Sequence, residues 1–234
     1  MVRWQWFNND AEVVDAARRM IDRAANAAIL ARGAFHLVLA GGTTPRAVYQ
    51  TLRELETDWR AWHLYFGDER VLPADHSDRN SLMAHDAWLA HVPIPLAQIH
   101  PMNTEQGLEA AGAAYADLLS GLGEFDLVLL GLGEDGHTAS LFPDHELGVA
   151  QDSPDIILVR DAPKPPLARL SLSANRLSRA LQVLFLVTGA GKKTAVTRWK
   201  NGELLPAAAI HCPHGIDVLL DAAAWGGCCK LKSC

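Results

Sequence analysis

The sequence predicts an α/β fold: a mostly parallel sheet of Rossmann-like type, covered by helices on both faces. Strand-like apolar runs alternate with amphipathic stretches along the 234 residues, an order typical of βα units. Polar, glycine-rich motifs follow several of these runs, where open α/β sheets bind ligands. No internal repeat or linker interrupts the pattern. Residues 1–226 are therefore expected to form a single domain, either undivided or with a small subregion.

The first half of this pattern begins with a long amphipathic helix. Apolar residues recur every three or four positions over 10–32, with Asp10 as the expected N-cap and Gly33 just beyond the end. A buried strand over 35–40 follows. Pro45 suits the first position of the next helix, which is expected to reach about Leu55.

The same patterns continue to the end of the chain. The clearest buried strand is the apolar run over 125–130. The Val92-Pro-Ile-Pro95 segment ends the helix predicted over 80–91. The remaining elements are predicted as strands over 62–66, 156–160, 169–173, 182–187 and 217–220, and as helices over 80–91, 104–119 and 190–200.

Composition and charge exclude several classes of protein. Hydrophobic residues make up 49% and charged residues 21%, which excludes a disordered chain. A net charge of −6 argues against nucleic-acid binding, which needs a basic face. No apolar stretch reaches the ~18–20 residues of a membrane span, and the first ten residues lack a signal-peptide core. We expect no membrane or nucleic-acid partner, and a cytoplasmic location.

The four cysteines do not suggest a disulfide scaffold. Cys212 stands alone, and Cys228, Cys229 and Cys234 lie near the end of the chain in a spacing that matches no standard zinc motif. Residues 227–234 are predicted to be a Cys-rich tail, disordered or appended, outside the fold. The cluster 211–214 (His-Cys-Pro-His) is a weaker metal candidate because it lacks a fourth ligand. We expect no metal.

The loop over residues 41–45 (Gly-Gly-Thr-Thr-Pro) joins a predicted strand to a helix. Its glycines let the backbone approach an anion, and the helix N-terminus offers free N–H groups. We interpret it as a phosphate cradle, with an ordinary tight βα turn as the alternative.

A second glycine-rich loop follows the strand over 125–130. Gly131-x-Gly133-x-x-Gly136 matches the dinucleotide motif, but Pro143 comes too early for the helix that this motif requires. We therefore do not expect a nicotinamide cofactor. His137 follows directly, and a histidine at a strand end suits general-base chemistry. The alternative is a surface or capping histidine.

Three cationic residues also follow or flank predicted strands. Arg70, in the motif Asp68-Glu-Arg70, could bind a phosphate or carboxylate with two hydrogen bonds, or form an internal ion pair. Lys192 lies in the first turn of a predicted helix, where the dipole disfavours a cation unless an anion is bound. The alternative is a solvated lysine. Arg169 precedes a strand with alternating apolar residues.

Taken together, these motifs resemble the 6-phosphogluconolactonases, whose fold is shared with glucosamine-6-phosphate deaminases and ribose-5-phosphate isomerases. The matching segments span residues 40–192. The most specific is 131–143, whose Thr-Ala-Ser-Leu-Phe-Pro continuation after His137 favours the lactonases over the deaminases. The other matching segments are Ala40-Gly-Gly-Thr-Thr-Pro45, Phe66-Gly-Asp-Glu-Arg-Val71, Asp78-Arg-Asn80, Arg169-Leu-Ser171 and Val187-Thr-Gly-Ala-Gly-Lys192.

The resemblance implies hydrolysis of 6-phospho-D-glucono-1,5-lactone, a step of the oxidative pentose phosphate pathway, by a monomer without metal or cofactor. His137 matches the catalytic histidine of the family, and Asp68 and Arg70 match its Asp-Glu-Arg motif. The positions that line the sugar-phosphate site in the family correspond to Gly41, Gly42, Thr43, Thr44, Arg169 and Lys192.

The resemblance leaves some points open. Ala40 and Thr43 stand where the family usually has serine, so Ala40 lacks a hydroxyl. We expect His137 to activate water, whereas Asp68 either orients His137 or binds a substrate hydroxyl. An amino-sugar-phosphate deaminase or isomerase, and a non-catalytic sugar-phosphate-binding protein, are the alternative functions.

Overall fold

The computed structural model describes residues 1–226, which form two sheets surrounded by helices. The strands are β1 (Val2–Phe7), β2 (Phe35–Leu39), β3 (Trp62–Phe66), β4 (Asp68–Arg70), β5 (Ile99–His100), β6 (Leu127–Gly131), β7 (Ile156–Val159), β8 (Arg169–Leu172), β9 (Val183–Val187) and β10 (Ile216–Asp221). The helices are α1 (Asp10–Arg32), α2 (Thr43–Leu52), α3 (Asn80–Ala87), α4 (Leu108–Leu119), α5 (Ala174–Ser178), α6 (Lys193–Lys200) and α7 (Ala222–Trp225).

The main sheet confirms the predicted fold class. Its seven strands run in the order β1-β10-β9-β6-β2-β3-β5, and every pair is parallel. From β2 the chain proceeds through β3 to β5, and then returns to the other side of β2 to form β6. This change of direction opens a crevice at the carboxyl ends of β2 and β6, where ligands bind in sheets of this kind.

A second, smaller sheet lies at the carboxyl end of the first. Its three strands are antiparallel in the order β4-β8-β7, so the segments predicted over 156–160 and 169–173 do not join the main sheet. Only Gly67 separates β3 from β4, and its N–H donates to the carbonyl of Leu39 in β2. Strand β4 was not predicted, because three charged residues have no strand pattern of their own. Its partner β8 lies about a hundred residues further along the chain.

The core explains why the central strands are almost continuously apolar. All five residues of β9 are buried, as a parallel strand covered on both faces requires. Helix α1 packs mainly through small residues such as Ala17 and Ala28, which allow a close approach to the sheet. The helices on the β3 side are held by an aromatic cluster in which Trp62 contacts the rings of Phe35, Trp59 and Trp88.

Several element boundaries differ from the predicted ones for local reasons. Helix α1 is capped by Asn9, whose side chain accepts from Glu12 N–H at 2.9 Å, so Asp10 is not the N-cap but the first helical residue. Gly33 ends the helix with a left-handed backbone, as predicted. Helix α2 begins at Thr43, which makes Pro45 its third residue, and it ends at Leu52 rather than Leu55.

Three predicted helices are interrupted. The segment 80–91 divides into α3 and a 3₁₀ turn, and 190–200 divides into a 3₁₀ turn and α6. In 104–119 the break is Gly107, whose φ of 98° separates a 3₁₀ turn from α4. Strand β1 was not predicted at all, and it pairs with β10 along all six of its residues.

The remaining expectations concern the tail, the cysteines, metal sites and membrane spans. The prediction for the tail 227–234 lies outside the described residues. Within residues 1–226, Cys212 is buried, and its thiol lies 3.1 Å from the carbonyl oxygen of Ala180. In that range no three His, Cys, Asp or Glu side chains are grouped to hold a metal ion, and no helix is both long and apolar enough to cross a membrane.

Candidate active site

A cavity of about 310 Å³ lies at the predicted edge of the main sheet. Its floor is formed by the carboxyl ends of β2, β6 and β9, and its wall by the start of α2 and residues of the small sheet. All nine predicted site residues line it: Gly41, Gly42, Thr43, Thr44, Asp68, Arg70, His137, Arg169 and Lys192. The structure thus brings them together, while their individual roles remain predictions.

The amino end of α2 lines the part of the cavity next to β2. Gly42 is the N-cap residue of this helix, with a φ of 105° that favours glycine. It has no side chain that could accept from the first N–H groups of the helix. The first backbone N–H groups of a helix lack helical acceptors, so they remain available to an anion. The Thr44 hydroxyl lies 2.6 Å from that of Thr188 at the end of β9, which ties the loop to a neighbouring strand.

His137 lies on a tight turn after β6 and is held by a carboxylate. Its Nδ1 is 2.5 Å from Oδ1 of Asp135, which also accepts the His137 backbone N–H at 3.1 Å. A Cβ at Gly133 would lie 2.1 Å from Nδ1, so only glycine fits beside the ring. The Phe142 ring packs on the imidazole at 4.9 Å. In the neutral tautomer that donates Nδ1–H to Asp135, the lone pair of Nε2 is free to accept a proton.

Two residues of this region were not predicted as site residues: Asp135, which contacts His137, and Lys164, which lines the cavity. Burial alone would raise the pKa of the Asp135 carboxyl, but the hydrogen bonds and charge of His137 hold that pKa below its usual value. The available signal was the Asp-Gly-His spacing on a glycine turn, which brings a carboxylate to the ring two residues later.

Asp68 is held away from His137 by other partners. Its side chain is 8% exposed, and its two oxygens accept from Ser140 Oγ at 2.5 Å and from Asn80 Nδ2 at 3.1 Å. Burial raises the pKa of Asp68, although the Ser140 hydrogen bond opposes this change. Of the two roles considered for Asp68, orienting His137 therefore belongs instead to Asp135.

The neighbouring Glu69 has a structural role. It is fully buried and accepts backbone N–H groups from Arg70, Asn80 and Ser81, which anchors the start of α3. Its charge is balanced by Arg79, whose Nε lies 3.4 Å away. The internal ion pair considered for the Asp-Glu-Arg motif thus involves Glu69, and leaves Arg70 in the cavity wall.

Four cations line the cavity: Arg70, Lys164, Arg169 and Lys192. Within residues 1–226 none of them has a carboxylate oxygen within 4.0 Å. Arg169 is 8% exposed; its guanidinium donates to the carbonyls of Pro166 and Lys164 and lies 5.4 Å from the centre of the Phe142 ring. Burial lowers the pKa of Arg169. Unpaired cations at a helix N-terminus make this cavity suited to a phosphate or carboxylate.

Comparison with known proteins identifies relatives over almost the whole chain. The family model described as "Glucosamine-6-phosphate isomerases/6-phosphogluconolactonase" matches residues 8–219. The chain is 35% identical to a 6-phosphogluconolactonase of Mycobacterium leprae, over 94% of this chain and 92% of that one. It is 37% identical to the 6-phosphogluconolactonase of Mycobacterium tuberculosis, over 81% of each.

Solved structures have the same fold. The 6-phosphogluconolactonase of Thermotoga maritima superimposes with a TM-score of 0.87 at 27% identity, covering 94% of this chain and 100% of that one. The enzyme of Trypanosoma brucei gives 0.85 at 28%, covering 97% and 98%. A monomeric glucosamine-6-phosphate deaminase, 22% identical with a TM-score of 0.81, shares the fold and covers 96% and 99%. The chain therefore belongs to the glucosamine-6-phosphate isomerase/6-phosphogluconolactonase family.

Proposed function

We propose that this protein hydrolyses 6-phospho-D-glucono-1,5-lactone to 6-phospho-D-gluconate, a step of the oxidative pentose phosphate pathway. One observation carries the proposal: His137, whose Nδ1 lies against Asp135, lines the same cavity as four cations without carboxylate partners among residues 1–226. A base held by a carboxylate can activate water for hydrolysis, and the cations can bind a phosphate group. The relatives named 6-phosphogluconolactonase support the same substrate.

In this proposal the phosphate is bound by charge and by backbone. The N–H groups at the start of α2 point the positive end of the helix dipole towards the cavity, where Lys164, Arg169 and Lys192 add full charges. Because Arg169 is already held by two backbone carbonyls, it loses little conformational freedom when an anion binds.

The chemical step begins with proton transfer from a water molecule to Nε2 of His137. The resulting hydroxide adds to the lactone carbonyl carbon C1, and the negative charge develops on the carbonyl oxygen. When the tetrahedral intermediate collapses, the bond from C1 to the ring oxygen breaks. The imidazolium returns its proton to that oxygen, which becomes the C5 hydroxyl. Asp135 stabilises the imidazolium between the two transfers.

Two further groups complete the mechanism. Arg70 and the backbone N–H groups of the glycine-rich loops are the donors we assign to the developing oxyanion; one such donor typically contributes ~3–4 kcal/mol. Asp68 is assigned to bind a hydroxyl of the sugar, because its carboxylate lines the cavity and does not contact His137.

The proposal also covers the domain organisation, oligomeric state and location of the protein. We propose that residues 1–226 act as a single lactonase domain, that the protein works as a monomer in the cytoplasm, and that it binds no nucleic acid. The net charge of −6 supports the last point.

The test is a coupled assay in which glucose-6-phosphate dehydrogenase generates the lactone and 6-phosphogluconate dehydrogenase reports the product. We expect acceleration over spontaneous hydrolysis for the phosphorylated lactone, much less for unphosphorylated gluconolactone, and no release of ammonia from glucosamine 6-phosphate. Ammonia release without lactone hydrolysis would assign the protein to the deaminases instead. Thermal stabilisation by the ligand without any turnover would indicate a non-catalytic sugar-phosphate-binding protein.

A further inference from the structure

We propose that Asn80 is a specificity residue of the lactone site. In this proposal its Oδ1 accepts a hydrogen bond from one ring hydroxyl of the sugar, while its Nδ2 holds the Asp68 carboxylate in place to accept from a neighbouring hydroxyl. The proposal rests on the proposed function, because it assigns the hydroxyl of the same substrate.

The nitrogen end of the Asn80 amide is fully occupied. Asn80 is the first residue of α3, and its side chain is 6% exposed. Nδ2 donates to the backbone carbonyl of Asp68 at 2.9 Å and to its carboxylate Oδ1 at 3.1 Å. Both partners are acceptors, so the amide cannot be turned around without placing oxygen against oxygen. Its orientation is therefore fixed.

The oxygen end faces the cavity without a donor. Asn80 lines the cavity, and no donor within residues 1–226 makes a hydrogen bond to Oδ1. Oδ1 is not fully buried, so it is open to the cavity and can accept a hydrogen bond from a molecule bound there. In this position the hydroxyl of a bound sugar is the partner that the cavity can supply.

Gly41 shows that this oxygen lies at the cavity floor. A Cβ built on Gly41 would lie 2.1 Å from Oδ1 and 2.6 Å from Cγ of Asn80, so the amide occupies the space that a side chain at position 41 would need. Gly41 itself begins the loop that leads into α2. The amide therefore lies between Gly41, at the start of the proposed phosphate cradle, and Asp68.

The two ends of the amide can be separated by two substitutions. Asn80→Ala removes both contacts. Asn80→Asp keeps the shape and an oxygen for the substrate hydroxyl, but it replaces the donor to Asp68 by a second carboxylate. That change sets two like charges face to face and should raise the pH at which kcat/KM falls on the acid side.

The experiment measures kcat/KM for the phosphorylated lactone and for its 2-, 3- and 4-deoxy counterparts. In the wild-type protein we expect one deoxy substrate to lose about three- to tenfold through the Asn80 contact, the effect of one neutral hydrogen bond. Asn80→Ala should abolish that penalty and keep the penalties of the other two. Asn80→Asp should retain it. Should Asn80→Ala not fold, Asn80→Ser replaces it, because serine also starts helices well.

Asn175→Ala is the matched control, because its Nδ2 also donates to a backbone carbonyl, that of Gln151, outside the cavity. It should give the wild-type pattern. A uniform loss across all four substrates in Asn80→Ala would overturn the proposal, since it would mark a purely structural residue. Absence of turnover by the wild-type protein would instead refute the proposed function. Calorimetric binding of 6-phosphogluconate and its deoxy derivatives would then still decide the role of Asn80.

Discussion

Replacing Asp135 by Asn removes the charge next to His137 and leaves the shape of the pair intact. A hydrogen bond to a charged group contributes ~1.5–3 kcal/mol. The side chains of His137 and Asp135 are 31% and 43% exposed, so solvent screening reduces the loss to about 1–2 kcal/mol. That corresponds to about a 5- to 30-fold decrease in turnover. The decrease should appear in kcat rather than KM, because Asp135 binds the base and not the phosphate.

The assay compares initial rates of Asp135→Asn and wild-type protein on the phosphorylated lactone at saturating substrate. The matched control is Asp86→Asn, because Oδ1 of Asp86 lies 3.1 Å from Nδ1 of His85 in an exposed pair outside the cavity. The control should retain wild-type turnover, and both variants should unfold near the wild-type temperature. Unchanged kcat in Asp135→Asn would refute the assignment of Asp135 as the group that orients the base and stabilises its charge.

Three further predictions concern the packing of Gly41, phosphate binding by Lys164 and the pH dependence of stability. Gly41→Ala should lower kcat/KM, because its Cβ would lie 2.1 Å from Oδ1 of Asn80. In the double variant Gly41→Ala/Asn80→Ala the decrease in log kcat/KM should be smaller than the sum of the two single decreases. Additive decreases in steady-state kinetics would contradict this collision. Lys164→Ala should raise KM for the phosphorylated lactone and leave the unphosphorylated lactone unaffected; equal changes would remove Lys164 from phosphate binding. The third prediction concerns three histidines of the main sheet that stack side by side: His36, His63 and His100. Burial holds the pKa of each below 6.5, with Arg32 and Arg176 adding to the effect at His36 and Asp126 opposing it. At these three histidines the unfolded chain therefore binds more protons than the folded one just below pH 6.5, so their contribution to the free energy of unfolding should be constant above that pH and fall as the pH drops through this window. His63→Asn should flatten the fall in urea titrations, and an unchanged slope would show that burial of these histidines is not its cause.

The sequence could predict the location of the site because the site follows from local patterns. Gly41, Arg70, His137 and Lys192 each stand at or just after the end of an apolar run. In a parallel sheet those ends meet at one edge, so a correct fold class brings these residues together without further knowledge.

The missed features depend on contacts between distant parts of the chain. Lys164 enters the cavity because the loop between β7 and β8 folds back over the main sheet, and that placement requires the antiparallel pairing of β4 with β8. Arg70 faces Arg169 in that pairing. Two strands of the small sheet were predicted, but the three-residue charged strand β4 has no periodicity to detect, so neither their pairing with it nor the position of Lys164 could be found from spacing.

Helix ends were missed for a different reason. Asn9 and Asp10 are both good N-caps, and only the backbone decides between them: Asn9 is extended, with φ −151° and ψ 173°, and Asp10 is helical. Asp135 was overlooked although its signal was local. The motif around His137 was interpreted through its glycines and its histidine, and the carboxylate two residues earlier was not considered as a partner.

The central claim is that His137 is the base that activates water in a site that binds the phosphate independently of it. The most direct measurement compares His137→Gln with wild-type protein in the coupled lactone assay, together with the affinity of each for 6-phosphogluconate. The account predicts that turnover falls by ~10²–10⁴ while product affinity is unchanged, because a general base contributes to the transition state rather than to binding. Turnover at the wild-type rate would contradict it.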